Sequence, residues 1–255
     1  MHKLRKYLTD TLLRLSVVVS TIFSLSASGL AQHYTFRNYT GDDGLSQLSC
    51  QALFQDRDGY IWLGTQAGLN CFDGDMFETF GIRQGLANDW INAIKQDSTG
   101  RMWIGTNGGL SCWDGKGFIN HTPDNGLRNK YVQALAIDSL GNVWCGTRDG
   151  LSRWNGRHFR NYDNTDGIPK ANIRDLLIDQ KSRLWVATDF GLYYQDGEQF
   201  VQFENPTLKE SKIYRIARES GGRLWVGMGD RLVAFEGLQK VSEYTAKDGL
   251  HGFPV

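Results

Sequence analysis

Proline is scarce in this 255-residue chain, at four residues, and a charge excess of either sign is absent, with 28 Lys and Arg against 28 Asp and Glu. The balance removes the overall cationic footprint by which a protein binds nucleic acid or an anionic membrane surface, so neither partner is expected. Long hydrophobic runs are missing after residue 31, so the mature chain is not expected to insert into a membrane. Only four cysteines occur. Cys71 and Cys112 stand 41 residues apart in equivalent positions of a repeat, too distant to bridge if successive sheets pack about 10 Å apart. Cys50 and Cys145 fall where other copies carry Ile, Val or Leu, and buried thiols are expected there. The five histidines, His2, His33, His121, His158 and His251, form no ligand-spaced pair. No metal, cofactor or catalytic constellation is expected.

What is abundant is glycine, at thirty residues, together with 12% aromatics. That combination points to tight turns between short, well-packed strands, an all-β composition. At the N-terminus His2, Lys3, Arg5 and Lys6 precede an apolar run from Leu15 to Leu25, and small residues at Gly29 and Ala31 follow. This order of basic, apolar and small residues predicts a secretory signal over residues 1–31 and export of the remainder.

The dominant signal is repetition. The stretch GYIWLGTQAGLNCFDG from Gly59 returns as GRMWIGTNGGLSCWDG from Gly100 and GNVWCGTRDGLSRWNG from Gly141. Its tryptophans are Trp62, Trp103, Trp144, Trp185 and Trp225, at intervals of 41, 41, 41 and 40. A repeat of this length marks a solenoid or a propeller. Within a copy the apolar period is two and glycine-containing turns separate four short runs, which describes a four-stranded antiparallel meander, one propeller blade. Blades are expected at about 50–80, 91–121, 132–162, 173–203 and 213–244.

The slots predict how the blades pack. The tryptophans are assigned to the core between blades, with Gly64, Gly105, Gly146 and Gly227 making room for the indoles. Ala52, Ala93 and Ala134 share an innermost slot that Asp175 and Arg215 occupy in the last two copies, a candidate charge pair lining the central channel.

The pattern DGL, D-x-x-G-x-(apolar)-W-x-G-T, then GL and an aromatic before D/N-G, resembles the two-component regulator propeller repeat, over Tyr34 to Val255. The fourth and fifth copies depart from it, with Ser182, Ala187, Glu219, Met228 and Arg231 at motif positions. The resemblance implies the periplasmic input region of a bacterial, Bacteroidetes-type sensor whose propellers are usually seven-bladed. Against that number, five complete blades, a spare outer strand at 34–39 and the start of a sixth blade from 249 predict an incomplete propeller, either an open arc with exposed edges or five blades forced into a strained closure, with a homodimer or missing C-terminal blades as its expected partners. The output module of such a sensor is expected to be missing from this chain.

The family geometry also implies that the loops before the first strand and between the second and third strands gather on one face. Asn88, Asp89, Trp90, Asn129, Lys130 and Tyr131 lie in the first set, and Arg148, Asp149, Asp189 and Phe190 in the second. Their mixture of amides, charges and rings suits an oligosaccharide or another small ligand. The expected function is therefore non-catalytic ligand sensing. The alternatives are a protein-binding scaffold and a propeller enzyme similar to the streptogramin lyases.

Overall fold

Twenty strands follow one another as five consecutive antiparallel four-stranded sheets in a computed structural model that describes residues 36–250 except Leu238. Blade 1 holds β1 (Cys50–Gln55), β2 (Ile61–Thr65), β3 (Leu69–Phe72) and β4 (Phe77–Phe80). Blade 2 holds β5 (Ile91–Gln96), β6 (Met102–Thr106), β7 (Leu110–Trp113) and β8 (Phe118–His121). Blade 3 holds β9 (Val132–Ile137), β10 (Val143–Thr147), β11 (Gly150–Trp154) and β12 (Phe159–Tyr162). Blade 4 holds β13 (Ile173–Ile178), β14 (Leu184–Thr188), β15 (Gly191–Asp196) and β16 (Gln199–Gln202). Blade 5 holds β17 (Ile213–Arg218), β18 (Leu224–Met228), β19 (Arg231–Glu236) and β20 (Gln239–Thr245). The chain divides after Asn38, and the unit from Tyr39 onward carries all five sheets. The signal segment at 1–31 and most of the sixth-blade start lie outside the described residues.

Each repeated residue has a local task. The aspartate of D-x-x-G closes the turn between the first two strands. Asp97 Oδ1 accepts the backbone N–H of Thr99 (2.9 Å) and Arg101 (3.1 Å), while Oδ2 accepts the Trp103 indole N–H at 2.9 Å. The same indole bond joins Trp62 to Asp56, Trp144 to Asp138 and Trp185 to Asp179. The threonine of W-x-G-T holds the next turn, its hydroxyl donating to the carbonyl of Gly68, Gly109, Gly150 or Gly191 and accepting an N–H from within the loop. In D/N-G the Asp73, Asp114 or Asn155 side chain accepts two N–H groups and closes the last turn. The DGL element is a single 3-10 turn ended by glycine in the left-handed region, as at Gly85 with φ 104°, where a side chain would be strained.

These aspartates make the fold acid-sensitive. Burial by itself raises the Asp97 carboxyl, but the bonds from Thr99, Trp103 and Arg101 outweigh it and hold the group at about 2, below its ordinary 3.8. Asp179 is lowered by the same balance of burial against bonds from Trp185 and Arg183. A depressed folded-state value means that the stabilisation is complete above the ordinary carboxylate range and is lost as pH falls through the folded value. Thermal melts should therefore show a steady loss of Tm from about pH 4 down to pH 2, and Asp97→Asn should flatten part of that slope.

The hydrophobic core lies between blades rather than within them. Trp62 packs with Ile91, Ile94, Met102 and Ile104 of blade 2, and Trp103 with Val132, Leu135, Val143 and Cys145 of blade 3. Trp144 packs with Ile173, Leu176, Leu184 and Val186 of blade 4, and Trp185 with Ile213, Ile216, Leu224 and Val226 of blade 5. A sheet buried on both faces reads as strands without a polar side, which is why both slot sets are apolar.

Four expectations are corrected here. The glycine slot makes room for an aliphatic side chain, not for the indole: a Cβ on Gly64 would lie 2.5 Å from Ile91 Cγ2, and one on Gly146 would lie 2.6 Å from Ile173 Cγ2. Trp225, whose slot faces the next blade, is only half-buried because no described blade covers it; it stacks on Tyr244 at 6.1 Å. Cys50 is exposed, unlike Cys145, because its slot faces a preceding blade and blade 1 has none among the described residues. Leu53 on the same face is 69% exposed. Finally, residues 36–39 of the expected spare strand form no strand and join none of the five sheets. Tyr39 instead sets its ring edge against Phe72 and Phe77, at 4.9 and 5.4 Å.

Candidate ligand-binding face

The site begins with a backbone irregularity that recurs in every blade. Where the innermost strand starts, its pairing with the second strand slips by one residue: Ile91 faces Thr106, but Ala93 faces Gly105. The same slip occurs in the other four blades. The extra residues are Gln51, Asn92, Gln133, Arg174 and Tyr214. A bulge of this kind breaks the alternation and re-aims one side chain, and bulges concentrate beside functional sites. All five re-aimed residues are polar or carry a polar tip.

The two candidate loop sets meet at this same end. Backbone N–H groups of Asn107, Arg148 and Asp189, just after the second strands, donate to the carbonyls of Trp90, Tyr131 and Asn172, just before the first strands. Side chains of the bulge residues reach into this layer. Asn92 donates to Asn107 Oδ1 at 3.0 Å and to the Val132 carbonyl of the next blade at 2.9 Å. Arg174 pairs with Asp189 and lays its guanidinium over the Tyr214 ring of blade 5, 4.6 Å from the centroid. Lys130 Nζ and Arg148 Cζ lie 5.2 and 4.5 Å from the Tyr131 centroid. Asp149 is engaged by Arg128 and, at 3.6 Å, by Lys170.

The candidates divide by task. Asn88 and Asn129 are turn-formers, each accepting the N–H two residues on, of Trp90 and Tyr131. Asp89 accepts the Ile82 N–H at 2.7 Å and ties the loop to the preceding 3-10 turn. Trp90, at 40% exposure, and Phe190, at 53%, are the open rings. Lys130, Tyr131, Arg148 and Asp149 form one cluster, and Asp189 joins Arg174 and Tyr214 in a second. Asn92, Arg174 and Tyr214 escape a reading of the sequence because the bulge hides their slot. The signal that could find them is a position that varies as Gln, Asn, Gln, Arg and Tyr immediately before the slot of Ala52, Ala93, Ala134, Asp175 and Arg215.

Asp175 and Arg215 do not form an ion pair. The Asp175 carboxylate accepts the N–H of Leu176 and, across the blade boundary, of Ile216, both at 2.9 Å. Arg215 is exposed and donates to the carbonyls of Arg174 and Tyr214. Burial pushes the Asp175 carboxyl up, against the lowering effect of the Ile216 bond and of the more distant Arg215. Two backbone N–H groups satisfy the carboxylate better than a solvated guanidinium would, so Asp175 is structural and holds blade 4 to blade 5.

At the opposite end a cleft between blades 4 and 5 is lined by Arg183, Trp185, Tyr194, Arg218 and Phe235 among others. Two of its three cations are engaged, Arg183 and Arg218 both lying on Asp179 at 3.0 and 3.6 Å.

Five consecutive meanders with shared cores define a β-propeller architecture, and the bulged ends of its inner strands define its candidate face. The family model for the two component regulator propeller matches residues 44–67, 85–108 and 126–149. Three of the five repeats thus carry the two component regulator propeller motif. It is 37% identical over 65 residues to histidine kinase P4 of Formosa agariphila, a match covering 26% of this chain and 5% of that protein. Its fold is similar to the extracellular domain of a putative hybrid two component system of B. thetaiotaomicron, with a TM-score of 0.68, 21% identity, and coverage of 81% of this chain and 30% of that one. A virginiamycin B lyase from Staphylococcus aureus shares the fold at a TM-score of 0.64 and 14% identity, covering 77% of this chain and 69% of the lyase. The chain thus spans one twentieth of the length of the kinase and under a third of the sensor domain.

Proposed function

We propose that this chain is the non-catalytic, ligand-recognising part of an exported two-component-type sensor and that it takes a saccharide at the bulged end of its blades. The observation that carries the reading is the coincidence of five bulges, two loop sets and the exposed rings of Trp90 and Phe190 at one end of a scaffold whose remaining repeated residues are committed to turns and shared cores. Rings and planar amides held on rigid strand ends are what sugar recognition needs, since they supply stacking area and directional hydrogen bonds at little ordering cost. The apolar run and small residues of the N-terminus support export, and the similarity to an extracellular sensor domain agrees with it.

An enzymatic role is disfavoured by where the described histidines sit. One virginiamycin B lyase structure is of a variant made catalytically inactive by replacing a histidine with alanine. Here His121 is buried among Trp103, Trp154 and Phe159, and burial lowers its pKa. His158 lies in the turn between the third and fourth strands of blade 3, beside Asn155. Neither lies at the bulged end. A protein-binding scaffold is the second reading, favoured by the open apolar face of blade 1 around Leu53.

Thermal denaturation of the purified chain across a panel of neutral and acidic oligosaccharides tests the proposal, because a ligand that binds only the folded state raises Tm with concentration. A saccharide-dependent rise that Trp90→Ala or Phe190→Ala diminishes is the expected result. A panel with no stabilising member would overturn it in favour of the scaffold.

A further inference from the structure

Resting on that reading, we infer that the saccharide carries an acidic group, a carboxylate or a sulfate ester, and that Lys130 and Arg148 on blade 3 hold it. The argument starts from a difference between blades that share one design. In blade 2 the bulge residue Asn92 is joined to the loop residue Asn107, and in blade 4 Arg174 is joined to Asp189. The equivalent residues of blade 3 are Gln133 and Arg148, and no such bond forms between them. The blade therefore keeps one amide and one guanidinium unspent at the position where its neighbours are internally satisfied.

The surroundings deepen the imbalance. Lys130 and Arg148 both lean on the Tyr131 ring, 5.2 and 4.5 Å from its centroid, and both are exposed. An aromatic ring attracts cations but carries no net charge, so two like charges are drawn together with nothing to neutralise them. Asp149, next to Arg148 in sequence, is shared by Arg128 and Lys170 at 3.9 and 3.6 Å. The Asp163 carboxylate is committed to the N–H and hydroxyl of Thr165. Among the described residues no ion pair joins Lys130 or Arg148 to a carboxylate, in a chain whose total charge is zero. The group is also held in place before any ligand arrives. The Arg148 N–H is bonded to the Tyr131 carbonyl at 3.2 Å, and the Asn129 side chain fixes the Tyr131 N–H at 2.9 Å. A planar guanidinium beside a point-charge ammonium recognises an oxyanion, and a free amide from Gln133 adds a partner for a neighbouring hydroxyl.

The test is isothermal titration of the full chain with trigalacturonate, with a sulfated galactan tetrasaccharide, and with cellotriose and maltotriose as neutral probes. At least one acidic probe should bind, with affinity falling as sodium chloride is raised. The double variant Lys130→Gln/Arg148→Gln should weaken that binding roughly tenfold or more, with Tm within a few degrees of the parent, since neither side chain is buried. Binding of neutral probes alone, unaffected by the double variant, would overturn this inference while leaving saccharide recognition intact. Acidic binding that the double variant does not weaken would overturn the assignment to blade 3. Binding of no probe in this panel, together with no stabilisation across the wider panel, would overturn both readings.

Discussion

Trp144→Ala is expected to destabilise the chain by roughly 3–5 kcal/mol, the usual cost of emptying a large aromatic site in a packed core. The indole is 1% exposed and fills the boundary between blades 3 and 4, against Ile173, Leu176, Leu184 and Val186. Its removal also strips Asp138 of a 2.9 Å hydrogen bond, leaving part of a turn-forming carboxylate unsatisfied. Trp225→Ala should cost less than about 2 kcal/mol, because that indole has solvent on one side and Tyr244 as its ring partner, so little new cavity forms. Denaturant unfolding of the two variants checks the contrast. Equal losses would mean that the tryptophans stabilise their own sheets and not the boundary with the next one.

Gly146→Val should be severely damaging although the position carries no side chain. A Cβ there would stand 2.6 Å from Ile173 Cγ2, 3.0 Å from Ile173 Cβ and 3.2 Å from Ala134 Cβ. Two further methyl groups have nowhere to go without parting blades 3 and 4, and we expect loss of soluble folded protein. Gly146→Ala should cost about 1–3 kcal/mol, the range for overpacking by one carbon. The fully buried Ala187, which occupies this slot in blade 4 against Ile213, shows that the boundary can shift to accept one methyl. Ile173→Val in the Gly146→Ala background should recover part of the loss. At Gly227 the nearest atom to an added Cβ is the Arg215 carbonyl oxygen at 3.5 Å, so Gly227→Ala should be neutral or slightly stabilising through reduced freedom of the unfolded chain. Thermal midpoints of the four variants decide the matter, and a Gly146→Val protein that melts like the parent would refute the close approach.

The blades could be read directly from the sequence because every signal is written several times. One W-x-G-T is ambiguous, whereas three copies and two variants of it, at intervals of 40 or 41, assign the second strand, its indole and its turn together. Position within the repeat does not say what the neighbour supplies, and the misjudged residues sit where that matters. Cys50 and Trp225 have core slots, yet the blade that would cover each is not among the described residues. Asp175 and Arg215 share a slot in adjacent blades, but backbone N–H groups satisfy the carboxylate first. The bulge residues were hidden for a related reason: an extra residue shifts the period of two by one, so Asn92, Arg174 and Tyr214 read as ordinary strand positions. Of the candidate face, the loops were legible and their internal pairing was not.

If each core is shared by two blades, the described chain must leave the front face of blade 1 open while covering the same face of the other four. Cys50 and Cys145 are a built-in pair of reporters, since both occupy slots that look toward a preceding blade; Cys145 has one and Cys50 does not. Native thiol labelling at mildly alkaline pH, read by peptide mass, is the most direct measurement. The account predicts that Cys50 is modified in the folded chain, that Cys71 follows slowly because burial and nearby carboxylates hold its thiol at about 11, and that Cys145 reacts only on unfolding. Protection of Cys50 equal to that of Cys145 would contradict the account, because it would mean that another surface already completes blade 1.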